Sequence, residues 1–270
     1  MTIIRFLTAV CLAMFSTAAM AADFITVAST TSTQNSGLFG AILPQFTAKT
    51  GIEVRVVAVG TGQAIKNAKN GDADVLFVHH RPSELAFVAE GYGVKRYDVM
   101  MNDFVIVGPK EDPAKAHAAG SAPGALTAIA GTQAPFVSRG DDSGTHKREL
   151  GLWKSAGIAP KAASGTWYRE AGAGMGATLN MAQGMGAYTL SDRGTWIAFK
   201  NKAGLGIVFE RGDDLANPYG VILVSPKRHP HVKAEQGQAF IDWLVSDEGQ
   251  AAIAAYRVQG EQLFFPTAKP

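Results

Sequence analysis

"FVIVGP" (Phe104–Pro109) and "GVILVSP" (Gly220–Pro226) are two similar apolar runs on either side of a middle section of the chain. Their length and their β-branched residues predict two buried strands. On the N-terminal side, the runs "FITVAS", "IEVRVVAV" and "ADVLFV", which begin at Phe24, Ile52 and Ala73, alternate with helical stretches. This alternation is typical of α/β architecture.

The middle section contains an α/β set of its own. "APFVSR" and "GAYTL" predict strands, and helices are expected from Ser143 to Ala156 and from Asp192 onward. The C-terminal stretch "AEQGQAFIDWLVSDEGQAAIAAY" is predicted to be helical. One α/β unit is therefore interrupted by a second one, and the chain crosses between them twice.

This organisation predicts an α/β protein of two lobes, joined by two crossover hinge strands, with a ligand in the cleft between the lobes. The two apolar runs are the expected hinges. The expected boundaries are residues 22–103 for the first part of lobe 1, 104–222 for lobe 2 and 223–270 for the C-terminal part of lobe 1. Closure of the cleft around a ligand is the motion that such an arrangement favours.

The N-terminus has the pattern of an export signal. Arg5 precedes an apolar run from about Phe6 to Phe15, and the small residues Ala19-Met20-Ala21 complete an A-x-A cleavage pattern. The run is shorter than the roughly 20 apolar residues of a membrane span. We therefore expect residues 1–21 to be a signal peptide, cleaved near Ala21, and the mature protein to be soluble outside the cytoplasmic membrane.

Composition narrows the possible partners. The single cysteine, Cys11, lies in the expected signal, so the mature chain has no disulfide and no cysteine metal site. The net charge is only +2 and the basic residues are scattered, which disfavours nucleic acid as a partner. No later apolar run is long enough for membrane insertion. We expect a monomer without a cofactor.

Three polar loops follow predicted strands and lead into predicted helices. They are "STTST" after the first strand, "GTGQ" after the second, and "SRGDDSGT" after "APFV". Open α/β sheets bind ligands beyond the carboxyl ends of their strands, and helix N-termini offer unpaired N–H donors to anions. Arg139 adds a full charge with a forked set of donors. Together the loops predict a site for a small tetrahedral oxyanion.

Other chemistries fit the sequence less well. A serine hydrolase could combine Ser143, His146 and Asp142, but the positions that a nucleophile elbow fills with glycine are Asp141 and Thr145. We therefore predict no catalytic residue and no enzyme activity.

Two further motifs suggest a metal or a dinucleotide. His79-His80 has no third metal ligand at a sensible spacing, so no metal site is predicted. "GAGMG" (Gly172–Gly176) lacks the G-x-G-x-x-G spacing of a dinucleotide site. The alternative for this second motif is a loop that brings main-chain N–H groups to the cleft.

Several longer stretches resemble a known family. "STTSTQNSGLFGAILPQFTAKTGIEVRVVAVGTGQA", "GDADVLFVH", "NDFVIVGP", "FVSRGDDSGTHKRELGLWKSAG", "GMGATLNMA", "GAYTLSDRGTW" and "NPYGVILVSP" resemble the tungstate-binding proteins of bacterial ABC importers. The resemblance covers essentially the whole mature chain. It implies a type II periplasmic binding protein that captures tungstate, or in some members molybdate, and passes it to an ABC permease and its ATPase.

The R-x-D-x-S-G-T pattern is also similar to the second-lobe motif of phosphate-binding proteins. The resemblance implies ligand contacts from both lobes, at Thr30, Thr31, Ser32, Thr61, Ser138, Arg139, Ser143, Gly144 and Thr145. By the same resemblance, Asp141 orients Arg139, and Ser138 is a weaker member of the set. Because no lipobox precedes Cys11, we expect a receptor that is free in the periplasm.

Selectivity is expected from the lack of acceptors. The first-lobe loops "STTSTQNSG" and "GTGQ" contain no Asp or Glu, and Asp141 and Asp142 have other expected partners. A site made only of donors disfavours phosphate, which keeps a proton near neutral pH and needs an acceptor for it. Tungstate, molybdate and sulfate all satisfy this condition, and the preference for tungstate over molybdate depends on the family resemblance alone.

Overall fold

The computed structural model describes residues 23–268. The strands in this range are β1 Phe24–Thr30, β2 Glu53–Val59, β3 Val75–Val78, β4 Gly93–Pro109, β5 Phe136–Ser138, β6 Tyr168–Glu170, β7 Thr189–Asp192, β8 Leu205–Phe209, β9 Ala216–Val224, β10 Arg257–Val258, β11 Glu261–Gln262 and β12 Phe265–Pro266. The predicted signal peptide lies outside the described residues.

The helices of the same range alternate with these strands. They are α1 Thr31–Asn35, α2 Leu38–Thr50, α3 Thr61–Asn70, α4 Arg81–Ala89, α5 Ala122–Gly131, α6 Gly144–Ser155, α7 Met175–Met185, α8 Arg193–Ala198, α9 Ala234–Val245 and α10 Asp247–Ala255. None of the helices between residues 23 and 268 combines the length and the hydropathy that a bilayer crossing requires.

A mixed sheet with the strand order β12-β4-β9-β3-β1-β2 forms the first lobe. Strand β1 runs parallel to β2 and β3, whereas β9 runs antiparallel to β3 and β4. The far end of β4 leaves this group and pairs with β7 and β8 in the middle section. Strand β4 is therefore shared by both halves of the molecule.

The strand pairing locates the two crossings between the halves. Strand β4 pairs with β9 up to Asp103 and with β7 from Phe104, where the first hinge was predicted. Strand β9 pairs with β4 from Ala216 onward, so the chain returns to the first sheet at this residue. The second predicted hinge, Gly220–Pro226, therefore starts inside β9 and not where β9 begins. The predicted lobe boundaries stay predictions.

Separate apolar cores stabilise the two halves. The first is packed between the large sheet and its helices, with the Phe46 and Phe240 rings 5.1 Å apart. In the second half, alternate residues of β4 enter different cores: Phe104 joins one cluster and Val105 the other. This alternation follows from the two-residue period of a strand. The cleft lies between bodies that each have their own interior.

Candidate anion-binding site

The predicted loops begin where three strands end. Strand β1 ends at Thr30, α3 begins at Thr61 directly after the β2 loop, and α6 begins at Gly144 beyond β5. Two of the hydroxyls also cap helices. Thr30 Oγ1 accepts a hydrogen bond from the main-chain N–H of Thr33 at 3.3 Å, and Ser143 Oγ accepts one from His146 at 3.2 Å. A capping oxygen keeps its own proton, so it can still donate one hydrogen bond.

The loops of the two lobes touch one another at Gly144. A Cβ on this residue would lie 2.7 Å from His79 Cε1 and 3.1 Å from Thr61 Oγ1. A Cβ on Gly62 would likewise lie 2.5 Å from the Asp142 carboxylate. Main chain from one lobe therefore packs directly on side chains of the other, which corresponds to a closed cleft.

Unpaired polar atoms come from both lobes at this contact. Thr61 Oγ1, Thr145 Oγ1 and Arg139 Nε are buried, and none of them has a hydrogen-bond partner within residues 23–268. A buried polar group without a partner costs about 1–3 kcal/mol. Several such groups in one contact region are the expected signature of a polar ligand, and an arginine among them favours an anion.

Asp141 holds Arg139 in place. Arg139 Nη2 donates to Asp141 Oδ2 at 2.5 Å, while Asp141 Oδ1 accepts from the main-chain N–H of Ser143 at 3.2 Å. Burial of the Asp141 carboxyl opposes its ionisation, but the hydrogen bonds from Ser143 and the charge of Arg139 outweigh burial and lower its pKa. The ionised carboxylate therefore holds one end of the Arg139 guanidinium by a charged hydrogen bond.

Ser138 lies against a buried carboxyl on α6. Glu149 Oε1 accepts from Trp153 Nε1 at 3.0 Å and from the Tyr168 hydroxyl at 2.8 Å. The Ser138 hydroxyl is close enough to Glu149 to favour its ionised form, yet it makes no hydrogen bond of normal geometry in the described part of the chain. Within residues 23–268 the Ser138 proton is therefore available to another acceptor.

The Glu149 carboxyl makes stability depend on pH. Burial raises its pKa from the ordinary value of 4.5 to about 7. The folded protein therefore binds a proton that the unfolded chain releases above pH 4.5, and the free energy of unfolding falls by up to about 3 kcal/mol as pH rises to 7. Glu149→Gln, which is neutral at every pH, should remove this contribution.

Urea unfolding of both proteins between pH 4 and 8 measures the effect. The free energy of unfolding of the Gln variant, relative to wild type, should rise between about pH 4.5 and 7 and then level off. Parallel stability curves for the two proteins would contradict a raised pKa at Glu149.

The remaining predicted residues line two cavities. Thr31, which is exposed, and Ser32, which is half-buried, line a cavity of about 260 Å³ together with Arg139. The N-terminus of α7 closes its other side through Gly174 and Met175. This places the "GAGMG" loop at the cleft, which is the alternative that the sequence left open.

Gly144, another of the predicted residues, lines the second cavity. Its volume is about 350 Å³, and Gly144, His79, Lys147 and Arg148 are among its lining residues. Arg148 also donates from Nη2 to the carbonyl of Ala216 at 2.7 Å, where the chain returns to the first lobe. This cavity therefore has further positive charge in its lining.

His79 is a residue of this region that the sequence did not assign to the site. It is buried and follows β3, its Nε2 lies 3.1 Å from Ser32 Oγ, and its Nδ1 lies 3.0 Å from Asn217 Oδ1. Its position beyond the carboxyl end of a strand is the signal that could have identified it, as for the other loops. Among residues 23–268, no group of three or more His, Cys, Asp or Glu side chains is arranged to hold a metal ion.

Comparisons with known proteins identify the family. The model of the PBP superfamily domain matches residues 16–248. The tungstate-binding protein TupA from Peptoclostridium acidaminophilum is 48% identical over 248 residues, which cover 90% of this chain and 86% of the relative. The chain belongs to the TupA family of the PBP superfamily.

Solved structures of TupA relatives agree with the fold. The tungstate-binding protein TupA from Desulfovibrio alaskensis G20 is 43% identical, covers 92% of this chain and 100% of its own, and has a TM-score of 0.81. The tungstate ABC transporter structure from Geobacter sulfurreducens is 51% identical, covers 88% and 100%, and has a TM-score of 0.78. The resemblance and the two-lobed α/β fold that the sequence predicts are thereby confirmed. The TupA relatives are named as binding proteins, whereas the roles of individual site residues in this chain stay predictions.

Proposed function

We propose that the protein is a periplasmic receptor that binds tungstate between its lobes and delivers it to an ABC permease, whose ATPase drives import. Molybdate is the nearest alternative ligand, and sulfate and phosphate come after it. The observation that carries the proposal is the convergence of unpaired donors from Thr61 in one lobe and Arg139 and Thr145 in the other. A dianion that bridges these donors favours the closed form.

The neighbouring carboxylates support a donor-only site. Asp141 accepts from Arg139 and Ser143, and both oxygens of buried Asp192 accept from Thr195. The exposed Asp142 pairs with Lys147. These acceptors already have donors, so a protonated oxyanion would have to displace an existing partner to place its own proton.

The serine hydrolase is disfavoured by local geometry. Ser143 Oγ accepts from the main-chain N–H of His146, and the His146 imidazole accepts at Nδ1 from the main-chain N–H of Asp142 at 3.0 Å. A nucleophile needs the imidazole itself as the acceptor of its hydroxyl proton. The Ser143 environment is therefore that of a helix cap beside a binding site.

Competition calorimetry with four anions tests the proposed ligand. We expect tungstate and molybdate to bind most tightly and phosphate to bind about 10- to 100-fold more weakly at neutral pH, because its proton lacks an acceptor. Sulfate should bind more weakly than tungstate because it is smaller. The matched control is the same titration with Asp213→Asn, a change on the exposed surface.

Each outcome separates the alternatives. Phosphate affinity equal to that of tungstate would overturn the donor-only site, and equal affinity for sulfate would overturn selection by size. A protein that binds none of the four anions would remove the receptor function altogether.

A further inference from the structure

A hydrogen-bonded relay connects the anion loop with the two crossover strands. Asn102 on β4 and Asn217 on β9 are register partners in the sheet, next to the two crossings, and both side chains are buried. Asn217 contacts His79, and His79 contacts Ser32 of the loop after β1. His79 also stacks on Tyr219, with 4.8 Å between ring centroids.

The donors and acceptors of this relay determine one another. Asn217 Nδ2 donates to Asn102 Oδ1 at 2.6 Å, so the other atom of the Asn217 amide, Oδ1, faces His79 Nδ1 as an acceptor. His79 Nδ1 therefore carries the proton, and Nε2 presents a lone pair to Ser32 Oγ. Asn102 Nδ2 donates in turn to the Tyr219 hydroxyl at 3.5 Å, which agrees with the same orientation of the Asn102 amide.

The surroundings of His79 keep its ring neutral. Burial lowers the pKa of His79 to about 4, against a smaller opposing effect of the Asn217 hydrogen bond. The charged or titratable groups that act on it are Arg139, His80 and Arg148, and each lowers the pKa further. The ring therefore stays an acceptor at Nε2 across the physiological range.

We propose that His79 is a positioning residue that couples the hinge to the anion loop. The Asn102–Asn217 pair selects the Nδ1–H tautomer of His79, and Nε2 of this tautomer accepts a hydrogen bond from the Ser32 hydroxyl. Ser32 Oγ can then accept from Thr30 Oγ1, which lies 3.1 Å away. The side chain of Ser32 thus orients the loop instead of donating to the anion.

The coupling depends on closure because His79 also contacts the opposite lobe. Gly144 packs against its Cε1 and Nδ1 atoms, so a displaced imidazole would collide with the loop that carries Arg139. The inference rests on the proposed function, since it assigns a role within the same site. The tautomer of His79, however, can be measured whether or not tungstate is the ligand.

Imidazole ¹⁵N spectra of the full-length mature protein at pH 7 test the tautomer. The sequence has six histidines, and the His79 signals are assigned by their loss in His79→Gln. We expect the shift of a protonated Nδ1 and of an unprotonated Nε2, both in the free protein and with tungstate. A protonated Nε2, or an average of the two tautomers, would overturn the proposal.

A double-mutant cycle tests the coupling itself. In the described part of the chain the Asn102 side chain forms hydrogen bonds with Asn217 and Tyr219, and none with Ser32 or the predicted anion contacts. Asn102→Ala and Ser32→Ala should nevertheless each weaken tungstate binding about tenfold. The double variant should also bind tungstate about tenfold more weakly than wild type. If both side chains act through the same relay, the first substitution already removes the effect of the second. The matched control is His231→Ala, an exposed histidine whose Nε2 lies 2.8 Å from the Gly71 carbonyl oxygen outside the relay, and we expect its affinity within about twofold of wild type.

The cycle has two decisive outcomes. Additive losses of about a hundredfold in the double variant would contradict coupling between the hinge and the loop. If Asn102→Ala does not fold, as its circular dichroism would show, the tautomer spectra of the wild-type protein still decide the proposal. If the wild-type protein has the expected tautomer but no affinity for tungstate, the proposed ligand is wrong and the relay is still supported.

Discussion

Arg139→Ala should abolish high-affinity tungstate binding and leave the fold intact. Arg139 is 5% exposed and is braced by Asp141, so its charge is held in place at the contact between the lobes. Without Arg139, a bound tungstate would be buried without its countercharge, and removing one partner of such a buried ion pair costs about 3–5 kcal/mol. This corresponds to a loss of affinity of more than about 100-fold. Calorimetry with tungstate measures the affinity, and circular dichroism checks the fold.

Two further variants make this result specific. Arg139→Lys should recover only part of the affinity, because an ammonium group cannot reproduce the fork that contacts Asp141 and a ligand together. The matched control is Arg169→Ala, since Arg169 is an exposed arginine on β6 of the same lobe. Wild-type affinity for tungstate in Arg139→Ala would contradict the assignment of the site.

Gly144→Val should prevent the lobes from closing around the ligand. The added carbon atoms would fall on His79 Cε1 and Thr61 Oγ1, which belong to the opposite lobe. The steric clash is relieved most easily by opening the cleft, because the interior of each lobe is close-packed and resists local adjustment. We expect tungstate affinity to fall by at least about 100-fold, as the ligand loses its contacts with one lobe.

Small-angle scattering separates this mechanism from unfolding. Wild-type protein should become more compact on addition of tungstate, whereas Gly144→Val should keep the dimensions of the free protein. The control is Gly151→Ala on the same helix, where an added Cβ meets no atom within 4 Å among the described residues. Gly151→Ala should close normally and gain up to about 1 kcal/mol of stability from helix propensity. Equal compaction in all three proteins would argue against a steric block at Gly144.

Local chemistry explains what the sequence could predict. The resemblance of the R-x-D-x-S-G-T loop to a known binding motif implies that Asp141 orients Arg139, and such a motif can be recognised because its residues are close together along the chain. The role of His79 was not predictable in this way. Its tautomer depends on Asn102 and Asn217, which are far apart in the sequence and meet only when β4 and β9 pair. Residues that come from three distant segments have no fixed spacing in the sequence, so no motif reveals the relay.

The sequence predicted the presence of strands and helices better than the residues at which they begin and end. The hydrophobic run of β9 is evident from Gly220, but its start at Ala216 and Asn217 gives no period-two signal, so the sequence places the beginning of this strand too late. The break between α9 and α10 at Ser246 has a local cause, because the Ser246 hydroxyl accepts from the Gly249 N–H and begins a new helix. An apolar repeat that continues through this serine conceals the break.

The sheet topology also sets an order on the assembly of the chain. Strands β5 to β8 lie between β4 and β9 in the sequence, whereas the first sheet must join Val75 to Leu223 and Met101 to Phe265. Bringing such remote segments together costs loop-closure entropy that grows slowly with their separation. A chain that is synthesised from its N-terminus contains every strand of the middle section before β9 is made. The first core is therefore completed last, and until then β3 exposes an unpaired edge that other chains can pair with.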